Sequence, residues 1–203
     1  ANGPIKIGIV QAQTGALADA FGIPTMEGAL LAMEQINAKG GIRGRKIEAV
    51  IRDDRTSIQP TVIALQEIVR DDDLVAMIGP STSGAAMAIR GIINESKLPE
   101  LTVAYGSALT RENFDYFYRV GPSLDMGNQA LLNAVKRARG DGQKFATLSL
   151  SDAGGTEGSE DAIKRAPGFG MTVVANEKYK YGDTDLTAQL TRCLLYTSDA
   201  ADE

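Results

Sequence analysis

Apolar and polar positions in the first hundred residues follow the periods of strands and helices in turn. Residues 5–10 show the β-branched alternation of a strand, and the apolar residues after them recur at helical spacing. The predicted strands are 5–10, 46–51, 74–78 and 98–103. Three apolar stripes mark the helices between them: Met26, Ala29, Leu30 and Met33; Val62, Leu65 and Val69; Ala86, Ile89 and Ile93. This alternation predicts an α/β fold with a parallel, doubly wound sheet.

A second series follows an irregular stretch that contains residues 116–118 and the pair Gly121-Pro122. Its predicted elements are a helix at 125–138, a strand at 145–150, a helix at 158–166, a strand at 171–176 and a helix starting near Asp185. Gly and Pro interrupt both periods near 120–123. We therefore predict an N-terminal lobe of residues 1–121 and a partial C-terminal lobe of residues 122–192.

Both ends of the chain carry an expectation about its origin. Residues 193–203 resemble the translation of an adaptor used in sequencing libraries, so we expect a non-native tail and leave it out of the predicted fold. The alternative is a natural frayed terminus. The start at Ala1, without methionine, suits an exported chain from which a signal peptide has been removed, and it suits a trimmed chain equally well.

Composition narrows the possible partners. The formal net charge is -5, and the 21 Lys and Arg residues are scattered, so the sequence lacks the basic footprint of a nucleic-acid-binding protein. Apolar runs stay well short of the roughly 20 residues that span a bilayer. Cys193 is the single cysteine and offers neither an internal disulfide nor a thiolate metal site. Asp53-Asp54 could suggest a metal, but a turn or capping role is favoured, and no cofactor is predicted.

Candidate chemistry lies in the loops that follow the predicted strands, because open parallel sheets bind ligands beyond the carboxyl ends of their strands. The loop 79–84 carries Ser81, Thr82 and Ser83 at a predicted helix N-terminus, where unpaired N–H groups and the helix dipole favour an anion such as a carboxylate. Ser83 is the first choice for a hydroxyl donor. The plainer alternative is that Ser81 or Ser83 caps the helix.

Two aromatic residues stand in the neighbouring loops, 13–22 and 104–107. Phe21 and Tyr105 either line a pocket or pack beneath their own loops as small satellite cores, and the residues alone leave both alternatives open.

Several short motifs, in order, resemble one known family. They are QTGAL (13–17), EGA (27–29), INAKGGIRGRK (36–46), DD (53–54), IGP (78–80), YRVGPS (118–123), QA (129–130) and DTDLTAQL (183–190). Their order and spacing over residues 5–192 resemble the type I periplasmic solute-binding proteins, the family of the leucine/isoleucine/valine receptor.

The resemblance implies two lobes that close by a hinge over a small solute, and a soluble periplasmic component that delivers the solute to an ABC permease. It implies a binding protein rather than an enzyme. The family's carboxylate-binding serine matches Ser83, supported by Ala104 and the loop after it, and the family's aromatic in the first loop matches Phe21.

Two positions depart from the family pattern. Tyr105, next to Gly106, stands where members often carry threonine, and Gly154 stands where many carry an aromatic residue. The ligand is therefore open among branched-chain or related amino acids, aromatic acids and amides.

Two other function classes share this architecture, an enzyme and a ligand-sensing domain. An α/β hydrolase or nucleotide enzyme is disfavoured because the sequence has no histidine and lacks the G-x-S-x-G, P-loop and G-x-G-x-x-G motifs. A ligand-sensing regulator domain of the same fold is the remaining alternative.

Overall fold

The computed structural model describes residues 3–71, 73–112 and 114–197. The chain divides into two compact units, and the first consists of Ala1–Ala104 and Ala108–Gly121. The strands of this unit are β1 (Ile5–Gln11), β2 (Ile47–Asp53), β3 (Leu74–Ile78), β4 (Glu100–Thr102) and β5 (Phe117–Arg119). Its α-helices are α1 (Ile23–Ala38), α2 (Ile58–Ile68) and α3 (Ser83–Ser96).

The five strands form one parallel sheet in the order β2-β1-β3-β4-β5. In its centre, Ile9 of β1 pairs with Ile51 of β2 and with Ile78 of β3. A strand order that reverses direction along the chain is the mark of a doubly wound sheet, so the predicted fold class is confirmed.

Helices cover the sheet on two faces, because successive strand residues point to opposite sides. Val10 and Met77 lie in the larger core, with residues of α2 and α3. Ile9 lies in the smaller core, with Met33 of α1. The predicted inner stripe of α3 is confirmed, since Ala86, Ile89 and Ile93 all belong to the larger core and are fully buried.

Two strands of the first unit differ from the sequence-based prediction. The stretch around 116–118 was predicted to be irregular, whereas Phe117–Arg119 forms β5 and pairs with β4. Three residues are too few to show a period, and Phe117 is held by its burial in the larger core. The predicted strand at 98–103 is correspondingly short, with ladder pairing only over Glu100–Thr102.

The second unit consists of Tyr105–Ser107 and Pro122–Glu203. Its elements are α4 (Leu124–Arg139), β6 (Gln143–Leu150), α5 (Ala153–Arg165), β7 (Met171–Tyr179) and α6 (Thr187–Thr197). Within the described residues β6 and β7 form a two-stranded parallel sheet, with a small core of Leu132, Ala166 and Met171. So small a sheet agrees with an incomplete second lobe.

The helix predicted at 158–166 begins five positions earlier than expected. The side chain of Asp152 caps α5 by accepting a hydrogen bond of 2.7 Å from Gly155 N–H. The sequence did not predict this start because the first turn contains two glycines, and glycine is a poor helix former.

The segment 193–203 was left out of the predicted fold, whereas α6 continues through it as far as Thr197. Cys193 is half-buried, with its thiol 3.9 Å from the Thr147 carbonyl of β6. Leu194 and Leu195 are exposed. Residues 198–203 lie outside the described residues, and the non-native origin of the segment stays a prediction.

Candidate ligand-binding site

Three of the loops singled out in the sequence follow β1, β3 and β4, which are neighbours in the sheet. Because all five strands run parallel, these loops leave the sheet at the same edge, its carboxyl edge. The first unit therefore brings residues 13–22, the loop 79–84 and Ala104 to one edge.

The hydroxyl residues of loop 79–84 divide their roles at the start of α3. Thr82 is the N-cap, and its hydroxyl accepts a hydrogen bond of 3.4 Å from Ala85 N–H. The expected alternative, a cap by Ser81 or Ser83, is therefore not what the structure shows. Ser83 is the first residue of the helix and is half-buried.

Ser81 contacts a residue that the sequence analysis did not select. Its hydroxyl donates a hydrogen bond to the side-chain oxygen Oε1 of Gln11, the last residue of β1. Gln11 is fully buried. The available signal was a carboxamide directly after the apolar run Ile7–Val10 of β1, at the start of a loop of interest.

The backbone of the same loop is held closely against β1. Gly79 has a φ of +105°, and a Cβ built on it would lie 1.9 Å from the Val10 carbonyl oxygen, so only glycine fits there. The peptide bond between Gly79 and Pro80 is cis.

Thr102 joins this loop to the one after β4. Its hydroxyl donates to the Pro80 carbonyl at 2.7 Å and accepts from Ala104 N–H at 3.1 Å. Both bonds are buried, and Ala104 itself has no exposed surface. Ala104 therefore helps to fix the loop after β4 rather than presenting surface of its own.

The loop after β1 is held by the end of β2. Asp53 accepts hydrogen bonds from Gln13 N–H at 2.9 Å, from Thr14 N–H at 3.2 Å and from the Thr14 hydroxyl at 2.7 Å. Partial burial raises the pKa of Asp53, but the hydrogen bonds from Thr14 and from two further backbone N–H groups outweigh it and leave the pKa below its usual value.

Asp54 serves the turn that follows. Its carboxylate accepts from Thr56 N–H at 2.9 Å, and burial raises its pKa. No group of three or more potential metal ligands occurs in the part of the chain that the structure describes. The aspartate pair orders the loop after β1 and the turn after β2.

Phe21 lies in a single π-helical turn, Ala18–Gly22, that leads into α1. Its ring is 40% exposed, so the residue is not tucked beneath its loop. A Cβ at the next residue, Gly22, would lie 1.9 Å from the Ala12 carbonyl oxygen. The missing side chain at Gly22 lets the turn pack against the end of β1.

The remaining predicted site residues belong to the second unit. Tyr105 is 42% exposed and its carbonyl accepts from Leu124 N–H at 2.9 Å, while Gly106 is buried. Gly154 lies in the first turn of α5. Their membership of one site with Ser83 stays a prediction.

The carboxyl edge of the second unit carries a polar cluster that the sequence analysis missed. The Tyr181 hydroxyl donates to Asp152 at 2.7 Å, and burial together with this carboxylate raises the pKa of Tyr181. Lys178 donates to the hydroxyls of Ser159, at 2.9 Å, and Thr156, at 3.3 Å. These contacts join residues 19 to 29 positions apart, so local spacing did not reveal them.

None of the helices in residues 3–71, 73–112 and 114–197 is both long and apolar enough to cross a membrane.

The first unit is a doubly wound α/β sheet with a hydroxyl-rich helix start at its carboxyl edge, the edge at which such sheets bind their ligands. The chain belongs to the periplasmic binding protein family, whose profile matches residues 4–199.

Individual relatives support this assignment. A Leu/Ile/Val-binding protein of Rhizobium johnstonii is 30% identical over 194 residues, which are 95% of this chain and 52% of that protein. A type 1 periplasmic binding protein of Bordetella pertussis superposes with a TM-score of 0.86 at 27% identity, over 97% of this chain and 54% of that one. A branched-chain amino acid transporter substrate-binding protein of Streptococcus pneumoniae, solved with isoleucine, gives 0.79 at 27% identity, over 93% and 53%.

The chain spans about half the length of the relatives it matches. These relatives are binding proteins rather than enzymes.

Proposed function

We propose that this protein is the solute-binding component of an ABC uptake system and that its first unit holds the carboxylate of a small ligand at the start of α3. The observation that carries this proposal is the division of roles in loop 79–84. Thr82 caps the helix and Ser81 bonds Gln11, while Ser83 is the first residue of α3 and lies half-buried at the helix N-terminus, beside the first-turn N–H groups. That corner favours an anion.

The neighbouring loops supply the rest of the proposed site in the first unit. Phe21 offers an exposed aromatic ring, and the Ala104 backbone is fixed by Thr102. Apolar walls with a few placed polar groups are typical of small-molecule sites. Tyr105, Gly106 and Gly154 are the contacts that we propose for the second unit.

Branched-chain amino acids are the first ligands to test, because two of the relatives bind or are named for them. Aromatic acids and amides belong in the same test, since Tyr105 and Gly154 both depart from the family pattern, one adding bulk and one removing it.

The ligand class is tested by titrating the chain with leucine, isoleucine, benzoate and benzamide, and following amide chemical shifts by NMR, which detects millimolar affinities. We expect at least one carboxylate to bind and to shift resonances of residues 81–85. Binding without shifts in this segment, or no binding of any of the four, contradicts the proposal.

The transport role is tested separately in the genome of origin. We expect genes for a membrane permease and an ATPase beside the gene, and export of the protein to the periplasm. A gene that instead lies alone beside a regulator would favour the ligand-sensing alternative.

A further inference from the structure

Gln11 combines full burial with an incomplete set of hydrogen bonds. Its Oε1 accepts from the Ser81 hydroxyl, whereas its Nε2 has no hydrogen-bond partner within residues 3–71, 73–112 and 114–197. Leaving a buried amide donor unpaired is costly. A carboxamide at this place in the sheet, next to the hydroxyl-rich loop, therefore needs an explanation beyond packing.

The hydroxyl of Ser81 can play two roles, and Gln11 decides between them. A serine hydroxyl has one proton to donate and two lone pairs that accept, whereas a carboxamide has an accepting oxygen and a donating NH2 group. When Ser81 donates to Oε1, only its lone pairs remain for a ligand. A half-turn of the Gln11 amide makes Nε2 the donor to Ser81, and the Ser81 proton then becomes available.

The surroundings fix Ser81 while they leave room for the amide. The Thr102 hydroxyl holds Pro80, the residue before Ser81. A Cβ on Gly79 would lie 2.9 Å from Nε2 of Gln11, and glycine has none. The heavy atoms of the loop are therefore held in place, and the adjustable part is the hydrogen-bond direction between Gln11 and Ser81.

We propose that Gln11 is a specificity-determining positioning residue, whose carboxamide orientation sets whether Ser81 donates to a carboxylate or accepts from an N–H group of the ligand. The inference rests on the proposed function, since it places the ligand beside loop 79–84. Its consequence is a site that can receive both carboxylates and their neutral amides.

The substitution Gln11→Glu makes the direction of the hydrogen bond between residue 11 and Ser81 depend on pH. A protonated glutamic acid keeps a donor and an acceptor, whereas an ionised one can only accept, so it holds the Ser81 hydroxyl as its hydrogen-bond donor. Carboxylate binding then loses a charge-assisted hydrogen bond and gains a nearby negative charge. Because burial raises the pKa of a carboxyl at this position, as it does for Glu100, we expect the affinity for benzoate to fall at least about tenfold between pH 5 and pH 10. Benzamide affinity should change less than about twofold, because the lone pairs of Ser81 remain available.

Gln13→Glu is the matched control, because it makes the same chemical change two residues along the chain, at a half-buried position. The titratable groups next to Gln11 are Asp53 and Asp54 at the end of β2, while loop 79–84 carries none. Both variants retain these aspartates, so the comparison removes their contribution. We expect Gln13→Glu and the wild-type chain to bind each probe with a flat pH profile.

The measurement is a ligand-detected NMR titration of each protein with benzoate and benzamide at pH 5, 7.5 and 10, with thermal unfolding as a check on folding. A flat benzoate profile in Gln11→Glu overturns the inference, and so does an equal fall in Gln13→Glu or for benzamide.

Two further results keep the inference separate from the function on which it rests. If Ser83→Ala weakens the binding of carboxylates while the pH profile of Gln11→Glu stays flat, the proposed function stands and the proposed role of Gln11 is wrong. If the wild-type chain binds no probe, both are wrong.

A second variant applies should Gln11→Glu not fold. Gln11→Met keeps the length of the side chain and removes both hydrogen-bonding groups, and we expect it to weaken benzoate and benzamide alike by at least about threefold. Unchanged binding of both ligands overturns the inference.

Discussion

The hydroxyl of Thr102 donates a buried hydrogen bond of 2.7 Å to the carbonyl of Pro80. Since the same hydroxyl accepts from Ala104 N–H, one side chain in β4 fixes the loops that leave β3 and β4 relative to each other. Loops placed by a rigid scaffold are the usual carriers of binding groups. The geometry of the candidate site in the first unit therefore depends on a residue that we do not expect to touch the ligand.

We expect Thr102→Val to destabilise the protein by about 1–3 kcal/mol, because valine fits the space but leaves a buried carbonyl and a buried N–H unpaired. Chemical or thermal unfolding measures this loss. Thr172→Val, the same change at an exposed position of β7, is the control and should have little effect. Equal stability of the two variants would show that the Thr102 hydroxyl does not hold the loops.

Gly22→Ala tests the close approach of the first loop to β1. The added Cβ would lie 1.9 Å from the Ala12 carbonyl oxygen, so the turn that carries Phe21 must move, and we expect a loss of at least about 1–3 kcal/mol in unfolding free energy. Gly28→Ala is the matched control within α1, where the new methyl group meets nothing within 4 Å. It should stabilise the protein by about 0.5–1 kcal/mol. Destabilisation by both variants to the same extent would argue against the packing described.

Glu100 makes stability depend on pH. Its side chain shares a face of the sheet with its register partners Met77 and Phe117, and neither carboxyl oxygen has a hydrogen-bond partner in the described part of the chain. Arg90, on the helix above, is engaged with the Ala108 and Leu109 carbonyls instead. Burial accordingly raises the pKa of Glu100 to about 9.

The sign follows from proton binding. Between the ordinary pKa of 4.5 and about 9, the folded protein keeps a proton on Glu100 that the unfolded chain releases. Stability therefore falls as pH rises through this window. Gln, which resembles the protonated acid, should remove this dependence, so we expect Glu100→Gln to gain on the order of 2 kcal/mol over wild type at pH 8 and little at pH 4.5. A constant difference between the two proteins in denaturant unfolding at pH 4.5, 6 and 8 would contradict the assignment.

The sequence predicted the α/β alternation well because each long element carries its own period. The stripe of Ala86, Ile89 and Ile93 is an example, since its spacing requires no knowledge of the partner strands. The sequence did not predict β5, because three residues show no period and because its place in the sheet is set by pairing with β4. The pairing joins Glu100 to Phe117, and the local sequence of neither segment predicts it.

The candidate site was predictable in part for the same reason. A run of three hydroxyl residues after a strand is a local signal, and it marked loop 79–84. Gln11 and Thr102 have no such signal, since their hydrogen bonds reach residues 70 and 22 positions away. Only the strand order, which places β1 and β4 on either side of β3, brings them to that loop.

The proposed role of Ser83 is the central claim, and Ser83→Ala tests it most directly against Ser96→Ala. Ser96 lies at the other end of α3 and donates to the Ile93 carbonyl at 3.1 Å, so its substitution controls for a serine lost from the same helix. We expect Ser83→Ala to weaken the binding of the carboxylate that the wild-type chain prefers by at least about tenfold, because a hydrogen bond to a charged group is lost. Ser96→Ala should bind as wild type does. Equal affinities of the wild-type chain and Ser83→Ala for that carboxylate, measured by titration, would contradict the account.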